Sequence, residues 1–359
     1  MPHIPDQMSG MVLTGHGGLD CLEWREDLSV PQPEPGQVLI RVGAAAINNT
    51  DINTRTGWYS KSVRGDTAAA ASEGYGGQTD ADGAWSGALQ FPRIQGADCC
   101  GVIVAVGGGV ADSRIGERVL VRSMQVPKSA HAGLPLVTFG SEYDGGFAEY
   151  AVTYSEDALA VSSRLSDVEL ASFPCAYSTA EGMIQRCSLK AERVLITGAS
   201  GGVGSAAIQL AKRRGAHVTA ITSPEKAEEL KGIGADETLG RNDALPEQSF
   251  DVVLDLVGGP KFPLLIDALK GGGRYAVAGA IAGPIVELDL RTLYLKDLSF
   301  FGCTKQDPRV FEDLVGYIER GEISPVVAKT FALKDMRKAQ EAFLSKRYAG
   351  KIGLVVEEA

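Results

Sequence analysis

Between Arg193 and Gly204 the chain reads Arg-Val-Leu-Ile-Thr-Gly-Ala-Ser-Gly-Gly-Val-Gly, residue types suited to holding a pyrophosphate on backbone N–H groups. Gly201 and Gly202, flanked by Ser200 and Val203, remove side chains where phosphate oxygens must approach the main chain. Gly204 lets a following helix pack closely on the preceding strand. Ala199 replaces the first glycine of the G-x-G-x-x-G pattern, so the motif draws its force from the strand before it and the helix after it. Dinucleotide binding is the chemistry expected. About 20 residues past the glycines, an acidic residue would take a ribose 2′-hydroxyl. Thr222, Ser223 and Lys226 stand there instead, with Arg241 in the next strand-loop. Neutral hydroxyls and cations suit a 2′-phosphate, so NADPH is expected over NADH, although Glu225 works against that preference and Lys226 also reads as a solvated helix lysine.

Those residues need a strand, a turn and a helix to place them. Val194 to Thr197 is a continuous apolar, β-rich run, the pattern of a strand covered on both faces. Val203, Ala206, Ala207, Leu210 and Ala211 recur at helical spacing, and Gly215 stands where a glycine ends a helix. Strands at 193–197, 217–221, 251–256 and 274–278 alternate with helices at 203–214, 225–231 and 260–269, which predicts a doubly wound parallel sheet. Earlier, short strands at 38–42, 102–106, 118–121 and 148–152, punctuated by Gly and Pro, predict a mostly β, partly barrel-like domain. A tail with helices near 310–321 and 334–345 and a strand at 352–356 is expected to rejoin it. The expected division is 1–162 and 304–359 for the β domain and 163–303 for the parallel-sheet domain. From Tyr59 to Gln90 runs a stretch rich in Gly, Ala, Ser and Asp, including Gly74-Tyr-Gly-Gly77. It reads as a solvated insertion, or as a lid with Tyr75 and Trp85 as its apolar contacts.

A chain of 359 residues exceeds one ordinary core, and 44% apolar with 22% charged residues is a soluble globular balance. A net charge of −10 without a Lys/Arg-rich run argues against nucleic acid or anionic membranes as partners and leaves a small-molecule substrate. Met1 to Gly18 lacks an apolar signal core, and no apolar run reaches spanning length, which points to the cytoplasm. Six cysteines without a C-x-x-C pair fit reduced thiols, and none of the four histidines has ligand spacing to another.

The order and spacing of Gly96-Ala-Asp-Cys-Cys-Gly101-Val-Ile-Val-Ala-Val-Gly107, Ile115-Gly-Glu-Arg-Val119, Gly145-Gly-Phe-Ala-Glu-Tyr150, Gly198-Ala-Ser-Gly-Gly-Val-Gly204 and Asp251-Val-Val-Leu-Asp-Leu-Val-Gly258 resemble the medium-chain dehydrogenase/reductase superfamily, in its zinc-independent, quinone-oxidoreductase-like branch. The resemblance implies an α/β protein, a GroES-like catalytic domain with a Rossmann domain inserted before the C-terminal tail. It adds Thr179, Val257 and Gly279 to the coenzyme contacts, and it implies a homo-oligomer, dimer or tetramer. Zinc-dependent members hold catalytic zinc with Cys, His and Cys. Here Asn48 stands at the first position, Ala97 at the second, and Cys175 alone matches. One soft ligand does not make a tetrahedral site, so no metal is expected, and Cys175 reads as a small packing residue near the coenzyme.

Without a metal, charge on the acceptor must be met by hydrogen-bond donors. The segment Ala46-Ile-Asn48-Asn-Thr-Asp51-Ile-Asn-Thr-Arg55-Thr-Gly57-Trp-Tyr59 looks like the quinone reductase signature, which implies Asn48, Asp51 and Tyr59 as the catalytic set. Asn48 would lie beside the nicotinamide, and Tyr59 would donate to a substrate carbonyl. Asp51 has an alternative in turn or helix-cap chemistry, and Tyr59 in packing beside Trp58. The expectation is an NADPH-dependent reductase of quinones or α,β-unsaturated carbonyls. A metal-free reductase of aldehydes, ketones or enoyl thioesters and a non-catalytic NADPH-binding protein are its competitors.

Overall fold

The computed structural model describes residues 3–75, 82–128 and 131–356. The chain divides into two compact units, one of Met1–Val63, Ala70–Cys175 and Phe311–Ala359, the other of Arg64–Ala69 and Ala176–Val310. The division falls at 175/176 and 310/311 rather than at 162/163 and 303/304. The first of these shifts has its reason at Asp167: the short helix Asp167–Leu170 is held to the β unit by the ion pair of Asp167 with Arg118, which also bonds the carbonyls of Ser163 and Leu165.

The first unit is built on a seven-stranded sheet in which Gln37–Ala46 is the hub. Its apolar run is buried on both faces, with Leu39 and Ala45 in one core cluster and Val38, Ile40 and Val42 in another, while Cys100–Val106, Tyr150–Tyr154 and Lys351–Val355 pair antiparallel along its edges. Register then does functional work. Gly353 faces Ala46, and the Ile47 N–H donates to the carbonyl of Ile352, so the chain two residues further brings Lys351 toward Asn48. On the opposite flank Cys100 faces Ala44, which carries Asp98 to the same end of the sheet. The helix Asn49–Thr56 begins there. Leu13, Ile47, Phe147, Met336 and Leu354 lie in the core beneath. From Phe311 onward the C-terminal tail belongs to this unit, with most of the helix Pro308–Glu319, the helix Met336–Leu344 and the strand Lys351–Val355 close to expectation.

The described part of the 60–90 stretch is exposed at most positions from Lys61 to Glu73 and is anchored by a few packed residues. Val63, Ala71, Ala84 and Leu89 are buried, and Ala84 and Leu89 join the core. The guanidinium of Arg55, fully buried, bonds the carbonyls of Gly17 and Ala71 and the side chain of Gln340. Tyr75 donates its N–H to the carbonyl of Thr56, while Gly76 and Gly77 of the expected turn lie outside the described residues.

The second unit is a six-stranded, all-parallel sheet whose strands run in the spatial order Glu237–Gly240, His217–Thr222, Arg193–Ile196, Phe250–Asp255, Leu269–Val277 and Ser299–Gly302. Chain order along the sheet is therefore 3-2-1-4-5-6, the doubly wound arrangement whose ligand crevice lies at the carboxyl ends of the strands where the order reverses. The strands at Glu237 and Ser299 escaped the sequence reading because each has only four residues and neither is fully buried.

Candidate active site

Five parallel strands of the second unit end in the expected coenzyme residues. After Arg193–Ile196 the chain turns through Gly198, at φ +56°, into the helix Gly202–Arg213. A Cβ on Gly204 would sit 2.3 Å from the Gly198 carbonyl oxygen and 2.5 Å from the Ala199 Cα, so this glycine is required for helix-on-strand packing. Gly201 differs: a Cβ there would meet only the Gly198 oxygen, at 3.4 Å. Ser200, Gly202 and Val203 are half-buried and Gly201 is exposed, which leaves the helix N-terminus open to an anion. Val257 follows the strand Phe250–Asp255, and Gly279, half-buried, follows Leu269–Val277, where a Cβ would lie 2.7 Å from the Leu256 carbonyl. Thr179 is half-buried in the helix Pro174–Arg186.

The end of His217–Thr222 carries a sharper mark. Thr222 is buried and its Oγ1 has no hydrogen-bond partner. Ser223 follows, and its hydroxyl bonds Glu225. Lys226 is buried rather than solvated, and burial together with the nearby charge of Arg241 holds its ammonium below the ordinary lysine value. Glu229 and Glu225 act on Lys226 in the opposite sense to Arg241. The residues present fit a nicotinamide dinucleotide.

In the first unit the sheet ends and the site helix bring together residues far apart in sequence. The Asn48 Nδ2 donates to Asp98 Oδ2 at 2.8 Å, and its Oδ1 accepts from Lys351 Nζ at 2.5 Å. Lys351 also donates to Asp98 Oδ2 at 2.7 Å, and the other Asp98 oxygen accepts the Cys175 N–H at 2.7 Å. All of these side chains are buried, Asp98 completely. Asp51 accepts the Asn48 N–H at 2.8 Å, the cap role foreseen as its alternative. Burial pushes the Asp51 carboxyl up to about 7, against the N–H groups of Asn48 and Ala97 and the charge of Lys351.

Tyr59 sits just past Gly57, which ends the site helix in the left-handed region. It is half-buried, edge-on to Trp58 at 5.6 Å and to Trp85 at 5.5 Å. Its oxygen bonds Thr50, Asn53 and Trp85 side chains, and the Trp85 indole N–H also donates to Thr50 Oγ1 at 2.7 Å. Burial raises the phenol to about 12 in spite of those bonds. Tyr59 therefore combines packing with a polar network, and its hydroxyl belongs to a different cluster from Asn48 and Asp51.

Sequence reasoning missed Asp98, Lys351, Thr50 and Asn53. The visible signals were small ones: a carboxylate inside the small-residue run Gly96–Gly101 and a lysine opening the otherwise apolar strand Lys351–Val355. They also bear on metal. Where zinc ligands would stand, Asn48 is committed to an ammonium and a carboxylate and Ala97 offers no donor. This donor set does not fit a zinc ion. Among the described residues no three His, Cys, Asp or Glu side chains are grouped to hold a metal.

Residues 34–163 match the family model for the alcohol dehydrogenase GroES-like domain, and residues 202–320 match that of the zinc-binding dehydrogenase. A crystal structure of a candidate alcohol dehydrogenase from Sinorhizobium meliloti 1021 superposes with a TM-score of 0.87 at 40% identity, covering 99% of this chain and 98% of that one. Acryloyl-coenzyme A reductase of Metallosphaera sedula is 28% identical over 96% of this chain and 99% of its own length. The chloroplastic NADPH-dependent alkenal/one oxidoreductase of Arabidopsis thaliana is 29% identical over 90% of this chain and 72% of its own. No helix among the described residues is long and apolar enough to cross a membrane. A GroES-like unit, a Rossmann sheet carrying a dinucleotide turn and a full-length relative at 40% identity make this chain a member of the medium-chain dehydrogenase/reductase superfamily of NAD(P)-dependent oxidoreductases.

Proposed function

We propose that the chain is an NADPH-dependent reductase of α,β-unsaturated carbonyl compounds or quinones that works without zinc. The observation that carries this reading is the commitment of Asn48 to Asp98 and Lys351, which turns the position of a metal ligand into part of a closed hydrogen-bonded cluster. Polarisation of the acceptor then falls to protein donors. Once bound, the coenzyme supplies the hydride, and orientation and proton handling are left to the chain.

Backbone N–H groups from Ser200 to Gly204 would take the pyrophosphate, and Thr222, Ser223, Lys226 and Arg241 the 2′-phosphate. Tyr59 is the donor toward the acceptor oxygen. The Thr50 hydroxyl, the Asn53 carboxamide and the Trp85 indole N–H, which is also given to Thr50 Oγ1, can each donate toward its oxygen, and in this reading the phenolic proton is the one offered to the acceptor. A phenol at about 12 stays neutral at working pH and stabilises a developing enolate or quinol oxyanion by hydrogen bonding, with water completing the protonation. The relatives named for acryloyl-coenzyme A and alkenal reduction support activated alkenes as acceptors. The likeness to a candidate alcohol dehydrogenase favours simple carbonyls as the second reading.

Purified protein assayed with NADPH against an enone, an enoyl thioester, a p-quinone and an aldehyde tests the proposal. Turnover fastest with the enone, thioester or quinone is expected. Preference for the aldehyde would support the second reading, and coenzyme binding without turnover of any acceptor would make the chain a binding protein.

A further inference from the structure

We infer that Asp98 and Lys351 are positioning residues of the acceptor site: they grip the Asn48 carboxamide at both ends and so fix the first turn of the helix that carries Thr50 and Asn53 to Tyr59. This rests on the functional reading above for its catalytic consequence, though not for its geometry. Asn48 immediately precedes the helix Asn49–Thr56. Its N–H is taken by Asp51, its Nδ2 by Asp98 and its Oδ1 by Lys351, so backbone and side chain are both held. A flipped carboxamide would set its NH2 against the ammonium and its oxygen against the carboxylate, two repulsions in a buried site. Asp98 in turn is fixed by the Cys175 N–H at the start of the helix Pro174–Arg186.

Stability alone does not account for this cluster. A buried ion pair is typically no better than apolar residues of the same volume, and a cation beside a helix N-terminus has the wrong sign for the helix dipole. Lys351 is 2% exposed and Asp98 0%, so both charges carry the full cost of leaving water. What the cluster supplies is a single orientation, and Thr50 in the first turn and Asn53 in the second translate that orientation to the Tyr59 hydroxyl.

The test uses the full chain carrying Lys351→Met and Asp98→Asn, singly and together. Each single variant leaves one buried charge unpaired and is expected to lower Tm. The double variant removes both charges and is expected to recover most of the loss. A merely structural role predicts that activity recovers with Tm. The positioning role predicts that at recovered Tm the NADPH Kd stays within about twofold while kcat with the enone remains down by about tenfold or more. A double variant with recovered Tm and kcat within twofold of the unmodified chain overturns the inference. A second measurement stands even if the double variant does not fold or the unmodified chain reduces none of the acceptors. The Asn48 side-chain amide protons, assigned by their loss in Asn48→Ala, are expected to exchange slowly with water in the unmodified protein, and fast exchange overturns the grip.

Discussion

The coenzyme region and the acceptor region are built by opposite means. The phosphate-facing turn is made of main chain, completed within the dozen residues from Arg193 to Gly204 and dependent on what side chains are absent. The acceptor cluster is made of side chains, and its contacts span 50, 253 and 303 positions along the chain. Gly204 in the turn admits no added volume, whereas the acceptor cluster depends on matched charge and hydrogen bonding. Substitutions in the two regions are therefore expected to fail in different currencies, one in coenzyme affinity and one in turnover.

The largest expected effect is in the turn. Gly204→Val forces a branched side chain against the Gly198 carbonyl and the Ala199 backbone, an overpacking cost of about 3 kcal/mol or more. Calorimetry should show a lower Tm, and fluorescence titration a coenzyme Kd weaker by roughly two orders of magnitude. Gly201→Ala separates packing from ligand clearance. Its Cβ has room in the fold, so Tm should hold while coenzyme Kd still rises. A Gly201→Ala chain that binds coenzyme normally would remove that residue from the phosphate contacts.

On the acceptor side, Tyr59→Phe keeps the ring packing against Trp58 and Trp85 and deletes only the hydroxyl. A kcat lower by roughly 10- to 100-fold with unchanged coenzyme Kd is expected from the loss of one donor. Unchanged kcat would reduce Tyr59 to its packing contacts.

How legible each region was follows from the same contrast. The turn, its strand and its helix could be read because every determinant lies in one short window. Thr222, Ser223 and Lys226 could be placed at the end of the second strand because the apolar run from His217 to Ile221 stops there. Asp98 and Lys351 could not, since their meeting depends on the antiparallel register of three strands, information that no local pattern carries. Asn48 was singled out for its position in a motif, but its bonding partners come from that register. In the 60–90 stretch composition gave the exposed positions from Lys61 to Glu73, but not the packed anchors Ala71, Ala84 and Leu89, whose partners lie elsewhere in the chain.

A smaller effect separates the two coenzymes. Charge-assisted contacts to a phosphate contribute about 1.5–3 kcal/mol, so kcat/KM for NADPH should exceed that for NADH by roughly tenfold or more. Lys226→Ala should weaken NADPH and leave NADH nearly unchanged, and Thr222→Asp should reverse the preference. Equal values for both coenzymes in the unmodified protein would contradict the 2′-phosphate reading.

The smallest effect is a pH dependence in the acceptor cluster. The Asp51 carboxyl titrates near 7 when folded, above its ordinary value of 3.8. The folded state therefore holds this proton more tightly than the unfolded state does. Its contribution to stability is full below the ordinary value and is lost as pH rises toward and through about 7. Asp51→Asn removes the titration, so the Tm of the variant relative to the unmodified chain should rise from pH 5 to pH 8. A difference that is flat across this range would contradict the raised value.

The central claim is hydride transfer to an acceptor that no metal polarises. It is tested most directly by kcat/KM for NADPH-dependent reduction of a simple enone in one preparation, before and after exhaustive treatment with a strong zinc chelator. An unchanged value is expected, because Asn48, Asp98 and Lys351 satisfy one another and leave no ligand set to strip. Activity lost on chelation and restored by zinc would contradict the account.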